Sequence, residues 1–283
     1  MSSNDIAVWD DVISADRGLF DIRLGEIWKR RDLLYMFVWR DFKTTYKQTI
    51  FGFLWIILQP VLMMAVYIVI FSRIAGIPTD GVPPTVFYLA SIIIWTFFTN
   101  CLNQTVNTFK QNSNLFGKIY FPRLIIPISK IISALINFGI QIILLVPLLI
   151  YFSYNGSIHA NSYMLIVPGL ILITGCMGMG IGLIISSLSV NFRDLMFIVG
   201  FGVQLLMFAS AVFYPASIIP EDYRGIILWN PMVYILEATR YAFLGAGEHS
   251  TAGIIYASAV ASVMLLAGIL IFNKVERSFI DSV

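Results

Sequence analysis

The chain has 283 residues, of which 58% are hydrophobic and only 12% are charged, and its formal net charge at pH 7 is +2. Average soluble domains carry about 25% charged residues, so this composition excludes a soluble globular domain and favours a chain embedded in lipid. The two cysteines indicate no disulfide framework, no Cys or His spacing indicates a metal site, and no nucleic-acid partner is expected.

Six long apolar stretches follow one another along the chain, and none has a charged residue in its middle. They are residues 51–74, 84–109, 124–152, 163–190, 195–213 and 253–272. At about 1.5 Å of rise per residue, each stretch can cross a hydrocarbon core about 30 Å thick. Because a helix satisfies its own backbone hydrogen bonds in lipid, the sequence predicts an all-α, polytopic membrane protein with six transmembrane helices.

The distribution of positive charge predicts the orientation of these helices. Lys and Arg are concentrated before the first stretch, between the second and third, and after the sixth, whereas Arg73, Arg224 and Arg240 fall on the other side. The positive-inside rule therefore places both termini in the cytoplasm. The resulting division is a cytoplasmic N-terminal segment 1–50, a transmembrane domain 51–273 and a cytoplasmic tail 274–283.

Residues 21–48 have the pattern of an amphipathic helix rather than of a seventh span, because charged residues interrupt them every few positions. Their apolar residues recur at spacings of three and four: Leu24, Ile27, Trp28, Leu34, Tyr35, Val38 and Phe42. Such a basic amphipathic helix lies along the membrane surface. Two interpretations stay open, a plain lipid anchor and a helix that also contacts a soluble partner.

The connection between the second and third stretches mixes amides, cations and aromatic rings. A short cytoplasmic helix with protruding aromatic side chains suits docking onto another protein, although a solvated loop is the alternative. The docking candidates are Lys110, Phe116, Lys118, Tyr120, Phe121 and Arg123.

The external connection 214–245 is too apolar for a free loop, yet its prolines prevent one spanning helix. Asn230 before Pro231 is a helix start and Gly245 a helix stop, which predicts two short helices at about 221–228 and 232–244. Each is too short to cross, so both are expected to enter the outer leaflet and return, beside a cavity or pore mouth. The candidate residues of an external gate are Tyr214, Glu237, Arg240 and Tyr241. For Glu237 and Arg240, three residues apart, a local ion pair is the alternative.

No nucleotide-binding motif is present, since Gly117–Lys118 lacks the upstream glycine and downstream hydroxyl of a phosphate-binding loop. The mid-membrane glycines Gly175, Gly178, Gly180 and Gly182 favour close helix packing instead. No nucleophile constellation is visible either. A membrane enzyme, the second class considered, would depend on a few external acids.

The polar residues inside the spans are mostly amides: Gln59, Asn100, Gln104, Asn137, Gln141 and Gln204. On the fifth stretch Phe197, Phe201, Gln204 and Phe208 recur at spacings of four, three and four, which places them on one helix face. Aromatic rings and neutral amides suit a polyhydroxylated, uncharged solute. The alternative is that amides bridge helices and phenylalanines face lipid.

Four segments together resemble the permease subunits of type-2 ABC transporters, specifically the polysaccharide exporters, and most of all the O-antigen exporters. They are WRDFKTTYKQTIFGFLWIILQP at 39–60, NLFGKIYFPRLIIPISK at 114–130, SSLSVNFRD at 186–194, and VFYPASIIPEDYR with WNPMVYILEATRYAFLG inside 212–245. They occur in the family's order and spacing and span nearly the whole chain.

The resemblance implies a homodimer in the bacterial inner membrane with two copies of a separate ATPase subunit, which binds ATP and Mg²⁺ in place of this chain. The connection around 109–123 would couple to that ATPase, and the first and fifth helices would border a channel for a lipid-linked glycan. The channel-lining candidates are Trp55, Gln59, Asn100, Gln104, Phe197, Phe201, Gln204 and Phe208. Export of teichoic acid, of capsule, or of a small lipid or drug, and a purely structural scaffold, are the alternatives.

Overall fold

The computed structural model describes residues 24–47, 50–108, 111, 122–159, 161–189, 192 and 194–280. Within these ranges the chain is helical and contains no strand. The helices are α1 (Leu24–Lys29), α2 (Arg31–Tyr46), α3 (Trp55–Tyr67), α4 (Pro84–Val106), α5 (Ile125–Tyr154), α6 (Val167–Ser189), α7 (Leu195–Phe208), α8 (Glu221–Leu228), α9 (Pro231–Leu244) and α10 (Thr251–Ile280). The all-α prediction is confirmed.

Five helical segments in the described chain are long and apolar enough to cross a membrane. They are Gly52–Ile74, Pro84–Val106, Ile125–Tyr154, Ser162–Ser189 and Thr251–Val275. The first includes a 3₁₀ turn before α3 and a π-helical stretch after it, and the fourth begins with a 3₁₀ turn before α6. These segments correspond to the first, second, third, fourth and sixth predicted spans.

The fifth predicted span forms a shorter helix than the sequence indicated. The helix α7 has 14 residues and ends at Phe208, so it covers about 21 Å, less than the thickness of a hydrocarbon core. The chain then turns, and Ala211 has a positive φ of 55°. The apolar run 195–213 therefore includes a turn whose backbone groups need partners from elsewhere in the molecule.

The helix α4 occupies the centre of the bundle. From residue 86 to residue 101 every side chain is buried except Thr96, Thr99 and Asn100, which are partly exposed. The helix is apolar on nearly all sides, and such a helix is stable when other helices surround it. Its neighbours α3, α5, α6, α7 and α9 all contact it.

The glycines of α6 allow two neighbouring helices to approach closely. A Cβ atom added at Gly178 would lie 2.8 Å from the Cβ of Cys101 on α4, and one at Gly180 would lie 2.5 Å from the backbone nitrogen of Leu265 on α10. Real Cβ atoms do not make contacts this short, so only glycine fits at either position. The predicted role of this cluster in helix packing is confirmed.

The N-terminal segment forms two helices instead of the single predicted helix, because the backbone leaves helical geometry at Arg30. Ile27 and Phe37 are buried against the bundle, whereas Trp28 and Tyr35, which the sequence placed on the same apolar face, are 72% and 70% exposed. The helix α2 packs on α5. The predicted positions 21–23 and 48 lie outside the described residues.

Candidate functional site

An open cavity of about 230 Å³ lies where α2 packs against the bundle, between α2, α3, α4 and α5. Its lining consists mainly of amides, hydroxyls and aromatic rings: Asp41, Phe42, Trp55, Ile56, Gln59, Thr96, Asn100, Gln104, Ser133, Asn137 and Gln141. Four of the eight predicted channel residues, Trp55, Gln59, Asn100 and Gln104, therefore lie together. The lining groups can donate and accept hydrogen bonds, but they include no nucleophile paired with a base.

The helix periodicity of α4 and α5 places these polar side chains in the cavity. Thr96, Asn100 and Gln104 are four residues apart on α4, so they form one stripe about 12 Å long. Ser133, Asn137 and Gln141 form a stripe of equal length on α5. The sequence analysis identified the amides but not Thr96 or Ser133. The matched four-residue spacing on both helices was the signal that could have revealed them.

One amide of the cavity completes the backbone of α3. Pro60 has no N–H, so the carbonyl of Ile56, four residues earlier, has no intrahelical donor. Gln141 of α5 supplies one, since its Nε2 donates to that carbonyl at 3.4 Å. A spanning helix in lipid tolerates proline when a neighbouring side chain satisfies the freed group, as here. Gln141 therefore bridges α5 and α3 through this hydrogen bond, as the alternative interpretation of the amides predicted.

A buried ion pair links α2 to α5 beside the cavity. The Asp41 carboxylate lies 2.7 Å from the Nζ of Lys130 on α5 and 3.1 Å from a guanidinium nitrogen of Arg40. The Lys130 side chain is 8% exposed and that of Asp41 is 12% exposed, so the pair is screened little by solvent. Two cations therefore balance the carboxylate of the cavity wall.

The other four channel candidates do not belong to this cavity. The structure places Phe197, Phe201, Gln204 and Phe208 on the exposed side of α7, where phenylalanine exposure reaches 82% at Phe197 and 50% at Phe208. No helix among the described residues covers this face of α7. The structure thus separates the predicted channel set into four residues at the open cavity and four on the exposed face of α7.

At the opposite end of the bundle, Arg240 of α9 holds the turn that follows α7. Its guanidinium donates to the carbonyls of Val212 at 3.1 Å and of Tyr214 at 3.2 Å, and also to the carbonyl of Ala211. It donates to Ser91 of α4 as well, at 2.9 Å. These bonds satisfy the backbone of the turn, so they explain why α7 ends at Phe208.

Glu237 completes this buried network. Its carboxylate accepts from Arg240 at 2.7 Å, from the backbone N–H of Ala216 at 3.1 Å and from the backbone N–H of Glu248 at 3.0 Å. Glu237 and Arg240 are 3% and 1% exposed, so the pair is an internal link and faces no open space in the single chain. The sequence indicated the local ion pair but not its partners, which lie far away along the chain.

The other two gate candidates lie at the same end. The Tyr214 hydroxyl donates to the carbonyl of Phe208 at 2.9 Å. The Tyr241 ring packs against Tyr163 and His249, with ring centroids 5.1 Å and 5.3 Å away. The aromatic cluster connects α9 to the 3₁₀ turn before α6 and to the segment before α10.

Of the predicted ATPase-docking residues, Lys110, Phe116, Lys118, Tyr120 and Phe121 lie outside the described residues. Arg123 is described, and it occupies the turn before α5, where its carbonyl accepts from the N–H of Ile126 at 3.2 Å. Within the described ranges no group of three or more His, Cys, Asp or Glu side chains is placed to hold a metal ion.

The helical fold and the five long apolar helices of the described residues are those of a multi-pass membrane domain. Residues 32–244 match the family of ABC-2 type transporters, so the chain belongs to that family of membrane permeases. It is a permease of several spanning helices rather than an enzyme.

Three curated relatives extend this assignment over most of the chain. The O-antigen export system permease protein RfbA of Klebsiella pneumoniae is 27% identical over 252 residues, which cover 88% of this chain and 94% of that protein. RfbA of Myxococcus xanthus is 27% identical over 261 residues, which cover 91% of this chain and 98% of that protein. The polysialic acid transport protein KpsM of Escherichia coli is 26% identical over 247 residues, which cover 86% of this chain and 93% of that protein.

Proposed function

We propose that this chain is the membrane permease of an ATP-driven exporter that moves a lipid-linked, O-antigen-like polysaccharide out of the cytoplasm across the bacterial inner membrane. The observation that carries the proposal is the likeness, over nearly the full length, to permeases named for O-antigen export and polysialic acid transport. The amides and aromatic rings of the described helices support it, because they suit a hydroxylated solute without net charge.

In this proposal the apolar run 195–213, which comprises α7 and the turn after it, is the fifth of six spans, and α8 and α9 form a re-entrant pair on the outer side. With 8 and 14 residues, respectively, α8 and α9 are too short to cross separately. The excess of Lys and Arg in the N-terminal segment and in the second-to-third connection supports cytoplasmic termini. The division into segments 1–50, 51–273 and 274–283 belongs to the same proposal.

The proposed transporter is a homodimer with two ATPase subunits that bind ATP and Mg²⁺. The exposed aromatic face of α7 and the largely exposed α3 support a second copy as their cover, because an uncovered face of this kind can form the wall of a shared channel. The second-to-third connection is the proposed docking element for the ATPase. Capsule or teichoic acid export shares this architecture, as does export of a small lipid or drug.

Deletion of the gene in its host, followed by complementation, tests the proposed function. The surface polysaccharide should be lost on deletion and restored by the wild-type chain. Affinity purification of the complementing chain should recover a soluble ATPase that carries a phosphate-binding loop. An unchanged surface polysaccharide would refute the proposed substrate, and a chain that purifies without any ATPase would refute the mechanism.

A further inference from the structure

We propose that the cavity between α2, α3, α4 and α5 is a sugar-binding site contained within one protomer. Its ligand is a single neutral sugar unit of the exported glycan, held before the chain enters the channel between protomers. This inference rests on the proposed function for the source of the sugar. The site itself is argued from the cavity's own groups.

Three amides of the cavity lining have hydrogen-bonding capacity that the described part of the chain does not use. The side-chain amides of Gln59, Asn100 and Gln104 make no hydrogen bond to any part of the chain that the structure describes. Each carries an oxygen that accepts and a nitrogen that donates twice. Gln59 is exposed, and Asn100 and Gln104 are partly exposed, so all three amides can bind water or a ligand in the cavity.

The polar side chains of α4 and α5 line two walls of the cavity at regular intervals. The stripe on α4 and the stripe on α5 each present polar groups at intervals of about 6 Å, four residues of helix rise apart. Amide and hydroxyl groups therefore lie along two walls of one cavity. Sugar hydroxyls, each of which donates and accepts, match such walls, whereas a single planar anion would use only the donors.

The described lining of the cavity carries no net positive charge. Its one carboxylate, Asp41, is balanced by Lys130 and Arg40, and no Lys or Arg is among the described residues that line the cavity. A phosphate or carboxylate would find no cation in the lining, which disfavours a lipid headgroup as the occupant. A neutral ligand has no such requirement.

The shape and size of the cavity suit one sugar unit. The indole of Trp55 and the ring of Phe42 lie in the lining beside the amides. Aromatic faces pack on the C–H surface of a sugar while amides bind its hydroxyls. At about 230 Å³ the cavity is smaller than the roughly 300–1,000 Å³ pockets that enclose drug-sized ligands, so it suits one sugar unit and not a chain.

Site-directed photo-crosslinking in the native host tests the site in the full-length chain. A benzophenone amino acid replaces Thr96 in the cavity, Gln204 on α7, or Leu266, an exposed position on α10. Crosslinked chains are purified and stained for the host glycan. The proposal expects glycan adducts at position 96 and none at position 266. Phospholipid adducts alone at position 96 would overturn it.

The same experiment separates this inference from the proposed function. Glycan adducts at position 204 but not at position 96 would overturn the cavity site while leaving glycan export intact. No glycan adduct at any position, together with an unchanged surface polysaccharide in the deletion strain, would overturn the proposed function as well.

A second measurement does not depend on the bulky probe. Gln104→Met keeps the side-chain length and removes the amide, while Asn103→Leu makes a similar loss on the exposed side of the same helix. We expect Gln104→Met to lower the glycan that co-purifies with the permease by about tenfold, as the loss of strong hydrogen bonds would. Asn103→Leu should have no effect. Equal retention in both variants, at equal membrane levels, would overturn the proposal.

Discussion

Replacing Arg240 with methionine should severely destabilise the permease, because it removes the cation that organises the turn after α7. The substitution keeps most of the side-chain volume but loses every hydrogen bond of the guanidinium. It leaves the Glu237 carboxylate buried beside three carbonyls of the turn. Breaking a buried pair by removing one partner costs about 3–5 kcal/mol, and each unpaired buried carbonyl adds about 1–3 kcal/mol.

The expected loss is therefore at least about 5 kcal/mol, which approaches the whole stability of many domains. A fluorescent C-terminal fusion followed by size-exclusion chromatography after heating measures it. The melting temperature of Arg240→Met should fall by 10 °C or more, on the order expected for such a loss. If the variant is too unstable to purify, the yield of monodisperse protein extracted from membranes ranks the variants by stability instead.

Arg224 of α8, the helix before α9, offers a matched control. Its guanidinium pairs with Glu248 at 2.5 Å, but the two side chains are 38% and 46% exposed. Exposed pairs contribute about 0–1 kcal/mol, so Arg224→Met should melt close to the wild type. If Arg240→Met and Arg224→Met melted at the same temperature, the reasoning that the buried network holds the turn would be refuted.

Three further predictions follow from the packing and from α7. Gly180→Ala should lower the free energy of unfolding by about 1–3 kcal/mol, because the new Cβ would meet the backbone of α10. Gly200→Ala, which has open space around it, should leave stability unchanged, and thermal unfolding compares the two variants. Gln141→Leu should destabilise by about 1–3 kcal/mol, and adding Pro60→Ala should restore much of this by returning an N–H to α3, which a double-mutant cycle measures. Gln204→Trp should block glycan export while leaving membrane levels and assembly unchanged; unimpaired export, scored by surface-glycan staining, would remove α7 from the channel wall.

The spans were predictable because they depend on local composition, but the end of α7 was not. Residues 209–213 are as apolar as the helix before them, so nothing in that run indicates a stop. The stop comes from Arg240, which lies 26 to 29 residues further along and supplies hydrogen bonds to the turn. Contacts between distant segments of this kind cannot be read from periodicity.

The N-terminal helix and the cavity show the same limit in different ways. Spacing predicted an amphipathic segment, but which aromatic residues turn inward depends on the position of the break at Arg30. For the cavity, spacing within α4 and within α5 was visible in the sequence. The meeting of both stripes with Trp55 and Gln59 required the arrangement of three helices. The channel role of these residues and of the α7 face stays a prediction.

The enclosure of α4 also determines which parts of the molecule can move. A helix covered on nearly every side is locked by close packing, and shifting it would break contacts with all its neighbours at once. By contrast, α3 and α7 each have a long open face. In a transport cycle of the proposed kind, we therefore expect α4 to keep its packing and the rearrangement to involve helices that have an open face.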